Sequence, residues 1–207
     1  NNFITNYSSE NWGSITSISI SKFGDIKMGE NREHGFKSWG LTPLYSENSR
    51  YSYYSQPSSN SNENIQKNTG YSQVDLFQKF LVKIGDTNLL NINIQFSESS
   101  DIDRFDQLSI TQGNSLKFSE WYYGPQKRFL ISPSLKIFPN RKFMKKGVIT
   151  FGFQKINESR IKRKFNTLNR SHQIENLKVF SLNGDFDTSF DDNHSISYGI
   201  ESTYNYN

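Results

Sequence analysis

His194-Ser195-Ile196-Ser197-Tyr198-Gly199-Ile200-Glu201-Ser202-Thr203-Tyr204-Asn205-Tyr206 is the stretch whose reading decides the fold. His194, Ile196, Tyr198, Ile200, Tyr204 and Tyr206 fall on one parity; Ser195, Ser197, Gly199, Glu201, Thr203 and Asn205 fall on the other. A period of two is that of a β-strand with one apolar and one polar face. The same alternation recurs along the chain. Leu90, Ile92, Ile94 and Phe96 alternate with Asn91, Asn93 and Gln95. Ile149, Phe151 and Phe153 oppose Thr150, Gly152 and Gln154, and Phe180, Leu182 and Phe186 oppose Ser181, Asn183 and Asp185. Near the start, Thr16, Ile18 and Ile20 oppose Ser17, Ser19 and Ser21.

Two segments need more care. Over 120–137, one parity holds Trp121, Tyr123, Phe129, Ile131, Leu135 and Ile137, and the other holds Glu120, Gln126, Arg128, Ser132, Ser134 and Lys136. Pro125 and Pro133 lie on the apolar parity, and each removes a ladder donor, which predicts a bulge or bend. Over 71–84, Val74, Phe77, Leu81 and Ile84 fit a helical stripe as well. The strand reading places Val74, Leu76, Phe80, Val82 and Ile84 on one face. Gln73, Asp75, Lys79 and Lys83 take the other, together with Phe77 and Leu81. The neighbouring segments favour strand.

The connections sort by length. Short ones fall at Gly85-Asp86-Thr87-Asn88 and near 191–193, with a medium one at Pro139–Gly147. Long ones cover about 24–69, 99–117 and 158–172. The expectation is about eight antiparallel strands, with turns at one end and loops at the other. Strands of about ten residues with one apolar and one polar face are what a transmembrane β-barrel requires. Lipid leaves no backbone group unpaired, so a spanning sheet must close. A soluble β-sandwich or β-helix shares the alternation. The length sorting favours the barrel, because a sandwich has no reason to sort its loops.

Composition agrees with an all-β class. The 207 residues, enough for one large domain or two small ones, are rich in Asn and Ser and contain no Ala. Hydrophobic residues reach only 33% while aromatics reach 15%, which disfavours a helical bundle and plain disorder alike. The absence of Cys excludes disulfides, Cys-ligated zinc and thiol catalysis. A net charge of 24 − 20 = +4 does not call for a nucleic-acid partner. No apolar run approaches the roughly 18 residues of a transmembrane helix, and no leader segment is visible.

Six collinear segments resemble the barrel region of TonB-dependent outer-membrane receptors of the Bacteroidota. They are FGDIKMGENREHGF (23–36), NTGYSQVDLFQKF (68–80), SSDIDRFDQL (99–108), EWYYGPQKR (120–128), ESRIKRKFN (158–166) and VFSLNGDF (179–186). The resemblance implies that residues 1–207 form about eight strands of an antiparallel barrel of about 22 in the cell outer membrane. It also implies a missing plug, through which the TonB–ExbB–ExbD complex would act. The cargo would be a scarce nutrient such as a ferric siderophore, haem, cobalamin or a glycan.

Several residues are candidates for ligand contact in the long loops. His34 and Trp39 lie in the first loop, as do Tyr51, Tyr53 and Tyr54, which with Tyr45 read equally as an adaptable aromatic recognition surface in an Asn- and Ser-rich setting or as rings that pack the loop over the barrel mouth. The basic run Arg160, Lys162, Arg163 and Lys164, with Arg170 and His172 nearby, is the densest positive charge. On the extracellular side it would attract an anionic ligand or lipopolysaccharide phosphates. Its bland alternative is a solvated loop flank. A second basic group, Arg141, Lys142, Lys145 and Lys146, reads as a solubilising turn. Asp101, Asp103 and Asp106 lack the Gly and terminal Glu of a calcium loop, and Arg104 is the expected local partner. His34, His172 and His194 stand at no metal-ligand spacing. No nucleophile–base array or phosphate loop is present, so neither catalysis nor a cofactor is expected.

Overall fold

The computed structural model describes residues 1–33, 35–47, 53–139, 141, 144–191 and 193–207. Strand accounts for 65% and helix for 2%, which makes the class all-β. Eight long strands follow one another: β1 Asn2–Ser8, β2 Trp12–Phe23, β3 Tyr71–Ile84, β4 Asn88–Ser99, β5 Lys127–Ile137, β6 Lys146–Lys164, β7 Ser171–Ser189 and β8 Ser195–Tyr206. Each pairs antiparallel with its sequence neighbour. The short strands Ile102–Asp103 and Phe118–Tyr123 complete a ten-stranded sheet. Tyr71–Ile84 is strand throughout, so the helical stripe within it is coincidental.

Connections 9–11, 85–87, 138–145 and 190–194 lie at one end of the sheet. Connections 24–70, 100–126 and 165–170 lie at the other. Gly85, at φ +62, supplies the left-handed residue of the tight β3–β4 turn. The third long connection is shorter than its sequence reading. β6 continues to Lys164 and β7 resumes at Ser171, paired as far as Lys162 opposite Ser171. These two strands of 19 residues rise beyond their neighbours as a tall hairpin.

Cross-strand partners share a face, so the register sorts the side chains. One row runs Trp12, Val82, Leu90, Leu135, Ile149, Gly184, Ile200. The next row, on the opposite face, runs Gly13, Leu81, Asn91, Ser134, Thr150, Asn183, Glu201. Asp75, Lys79, Lys83, Asn93, Arg128 and Asp185 fall on this second, polar face. Asp75 Oδ1 accepts hydrogen bonds there from Gln73 Nε2 and Ser97 Oγ, both at 2.7 Å. On the apolar face Phe153 packs against Phe180 at 4.9 Å and Phe129 at 6.3 Å between ring centres. That face is open, with Ile200 68% and Leu182 50% exposed.

The expectation for 120–137 needs correction. Lys127 stands opposite Asn157, whereas Tyr123 stands opposite Arg160. The three residues Gly124-Pro125-Gln126 therefore face two on the other strand, Glu158 and Ser159, a register slip of one. Trp121 and Tyr123 turn to the polar face, and Glu120 and Tyr122 to the opposite one. Gly124 gives the strands a close approach at the slip, because a Cβ there would displace the Ser159 hydroxyl. Pro133 introduces no bulge: pairing to β6 skips Ser132 and Pro133 and resumes in the same register.

β1 and β8 each pair on one side only among the described residues, so the sheet is open and does not close into a barrel. Strands paired on both sides hold all their amides in the ladder, while edge strands leave alternate amides to solvent. In hydrogen–deuterium exchange of the folded 207-residue chain, amides of β4–β6 are expected to exchange at least about tenfold more slowly than those of β1 and β8. Equal protection across all eight strands would contradict the open sheet.

Candidate functional site

The loop end holds what little core the protein has. Leu108, Leu116, Phe118 and Ile161 are the buried apolar side chains among the described residues, and all four lie there. Leu108 belongs to the single helical turn Phe105–Leu108, and Ile161 comes from the upper part of β6. Thr42, Ser46 and Asn60 are buried with them. Asn60 Nδ2 donates to the carbonyls of Thr42 (2.8 Å) and Ile65 (2.9 Å), which holds the first loop in a folded shape. Ser46 Oγ donates to the Ser119 carbonyl and joins this loop to the strand Phe118–Tyr123.

Glu120 is the most heavily committed side chain at this end. Its carboxylate is 1% exposed. It accepts Arg163 Nη2 at 3.1 Å and a two-pronged contact from Arg170, with Nε and Nη2 both at 2.7 Å. Arg163 also donates to the Thr167 carbonyl and lies 4.9 Å from the centre of the Tyr53 ring. Burial pushes the Glu120 carboxyl up, but hydrogen bonds from Arg170 and Arg163 outweigh it and hold the carboxyl below its ordinary value. Arg163 and Arg170, expected in a solvated basic loop, are thus turned inward to a carboxylate the basic-run reading passed over.

The opposite face of the same hairpin is arranged differently. Arg160 and Lys162 stand opposite Tyr123 and Trp121 on one side and Gln173 and Ser171 on the other. Arg104 is gripped by Asp106, Nε to Oδ1 at 2.8 Å, and donates to Tyr123 Oη at 3.1 Å. Its guanidinium lies 4.6 Å from the Trp121 ring centre. The hydrogen bond from Arg104 holds Asp106 down to about 2. Asp103 behaves in the opposite way. Burial, then the charges of Asp101, Asp25 and Glu120, push it up to about 7.

The other candidates are scattered. His34 and Tyr51 lie outside the described residues, as does Lys142. Trp39 is 61% exposed, and its carbonyl accepts Arg32 Nε at 3.0 Å. Tyr54 is 48% exposed. His194 sits at the turn end, where Nδ1 meets Asp191 Oδ1 at 2.8 Å. Among the described residues no three His, Cys, Asp or Glu side chains stand together as metal ligands. The structure brings together Glu120, Arg163, Arg170 and Tyr53 on one face, and Arg104, Trp121, Tyr123, Arg160 and Lys162 on the other. Pro125, which removes a ladder donor where the register slips, was the sequence signal for this sorting. No family model, curated protein or solved structure matches the chain.

Two outcomes follow from the carboxylates. Glu120→Ala would leave two guanidinium groups uncompensated and is expected to cost about 3–5 kcal/mol in urea denaturation at pH 7. Because the Glu120 carboxyl is held below its ordinary 4.5, the difference between parent and variant is full above that pH. It shrinks as pH falls through the lower folded value; a difference unchanged down to pH 2 would contradict the ion pair. Asp103 carries the reverse sign. With a folded value of about 7 against 3.8, it favours folding when protonated, and this contribution is lost as pH rises between those values. Asp103→Asn should therefore melt higher than the parent at pH 8 and at the same temperature at pH 3.

Proposed function

We propose that the chain is part of the β-barrel of a TonB-dependent receptor in the cell outer membrane. In this reading it binds a scarce nutrient through loops at the hairpin end and imports it with energy relayed by the TonB–ExbB–ExbD complex through a plug that these residues do not include. The work is binding and movement, without covalent chemistry. Ferric siderophores, haem, cobalamin and glycans are the classes of cargo.

The observation that carries the reading is the two-faced, open meander. Among the described residues nothing covers its apolar face at Ile149, Leu182 and Ile200, and its polar face holds charges and amides that a packed core would not tolerate. Lipid on one side and water on the other satisfy both. Open edges at β1 and β8 suit further strands of a larger barrel, since a membrane sheet must close. Turns at one end and a folded loop layer at the other match the asymmetry of outer-membrane barrels. Trp39, Tyr53, Tyr54 and Arg160 lie at the loop end and are the described ligand-contact candidates with exposed surface.

The competing assignment, a soluble or surface-attached all-β binding module, differs in what covers Ile196, Tyr198 and Ile200. Ile200→Arg is expected to destabilise the bilayer-inserted protein by about 2–4 kcal/mol if the site lies mid-membrane. Denaturation from lipid vesicles measures this. Unchanged stability in lipid would remove the membrane assignment and leave the soluble module.

A further inference from the structure

A cavity of about 330 Å³ opens on the polar side of the β6–β7 hairpin, lined by Arg104, Trp121, Tyr123, Arg160, Lys162 and Gln173 among others. A second, of about 370 Å³, shares Lys162 and Ser171 with it and adds Lys117 and Lys164. Each volume is in the range of small-molecule sites. Among the described residues, no carboxylate lines either cavity.

The charge is sorted by face. Arg163 points to one side of β6 and meets Glu120. Arg160, Lys162 and Lys164 occupy alternate positions and point to the other side, about 7 Å apart along the strand. Lys162 pairs with no carboxylate among the described residues. Among the described residues, Arg160 has a long 3.7 Å contact with the half-buried Glu158, weaker than a close two-pronged pair because its own guanidinium is exposed. Its guanidinium lies 5.7 Å from the centre of the Tyr123 ring, which orients it without neutralising it. Among the described cations lining the two cavities, Arg104 has a close carboxylate partner in Asp106 and Arg163, at the margin of the second cavity, in Glu120. Three like charges in a row on one strand repel each other unless an anion sits among them.

We propose that these adjoining cavities bind a small soluble polyanion carrying phosphate or carboxylate groups, with Lys162 at their junction. Trp121 and Tyr123 form the floor, and Arg160 and Lys164 flank the anion on either side of Lys162. The placement on the polar face favours a dissolved anion over a lipid headgroup, which would approach along the apolar face. As the ligand class of the proposed receptor this rests on the reading above, but the binding measurement is separable from membrane insertion.

The test is calorimetric titration of the full 207-residue chain, folded in detergent, with inorganic pyrophosphate and with citrate. Binding of at least one is expected, weakening as NaCl is added. In the exposed-charge variants Lys162→Gln and Arg160→Gln/Lys162→Gln, affinity should fall about tenfold or more. Lys178→Gln, which alters a cation on the apolar face opposite Tyr206, should leave it unchanged. Circular dichroism confirms that each variant folds. No binding of either anion by the folded parent would overturn the proposal, as would equal binding by parent and double variant. Capture by phosphatidylglycerol vesicles alone, lost in the double variant, would overturn it in favour of a lipid headgroup. A chain that inserts into vesicles and binds no anion sinks the anion site alone. Anion binding together with an Ile200→Arg substitution that leaves stability in lipid unchanged keeps the site and sinks the receptor.

Discussion

The antiparallel hydrogen-bond ladder from β1 to β8 is the interaction on which the rest depends. A soluble sheet is ordinarily held by a second layer that covers its apolar side. Here the side bearing Trp12, Ile149, Leu182 and Ile200 has none among the described residues, and the buried apolar side chains described lie at the loop end, in the loops and in the upper parts of the strands there. Order within the sheet therefore comes from backbone pairing and from contacts between neighbours on one face, such as Phe129, Phe153 and Phe180. An exposed apolar surface of this extent is costly in water, at about 25 cal/mol per Å². It needs a covering medium or partner, which is the physical motive for the membrane reading.

The loop layer is organised by polar groups more than by apolar ones. Glu120 ties two arginines from the hairpin to the strand Phe118–Tyr123, and the Ser46 and Asn60 side chains tie the first loop to itself and to that strand. A buried carboxylate is tolerable only because its lone pairs are filled by charged donors. The consequence is a division of labour across the hairpin. One face is neutralised and sealed under the first loop. The other keeps its cations exposed beside Trp121 and Tyr123. This division follows from the single-residue slip at Gly124-Pro125-Gln126, without which the two aromatic rings would lie on the opposite side of the sheet.

Much of the architecture was legible in the residues themselves. The period-two pattern identified the strands, including Tyr71–Ile84, and separated Asp75, Lys79, Asn91, Arg128 and Glu201 from Leu90, Ile94, Ile149 and Ile200 correctly. The pattern is local and backbone geometry enforces it, so no distant partner is needed to read it. Glycine and polar residues marked the short turns for the same reason. The hairpin tip was misjudged because Arg160, Lys162, Arg163 and Lys164 resemble a solvated loop, and extended pairing with 171–173 overrode that composition.

What only the tertiary structure decided is which charges meet. Glu120 lies 43 residues from Arg163 and 50 from Arg170, and no periodicity joins them. Which side chains of Phe118–Tyr123 meet these cations depends on a slip in pairing between strands, and a register exists only once two strands are paired. The sequence by itself therefore determined that the protein is a two-faced antiparallel sheet with folded loops at one end. The tertiary structure decided that Arg163 and Arg170 meet a buried carboxylate, while among the described residues Arg160 has only a long contact with Glu158 and Lys162 has no carboxylate partner. Alternation is a property of one strand, whereas ion pairing is a property of strands brought together.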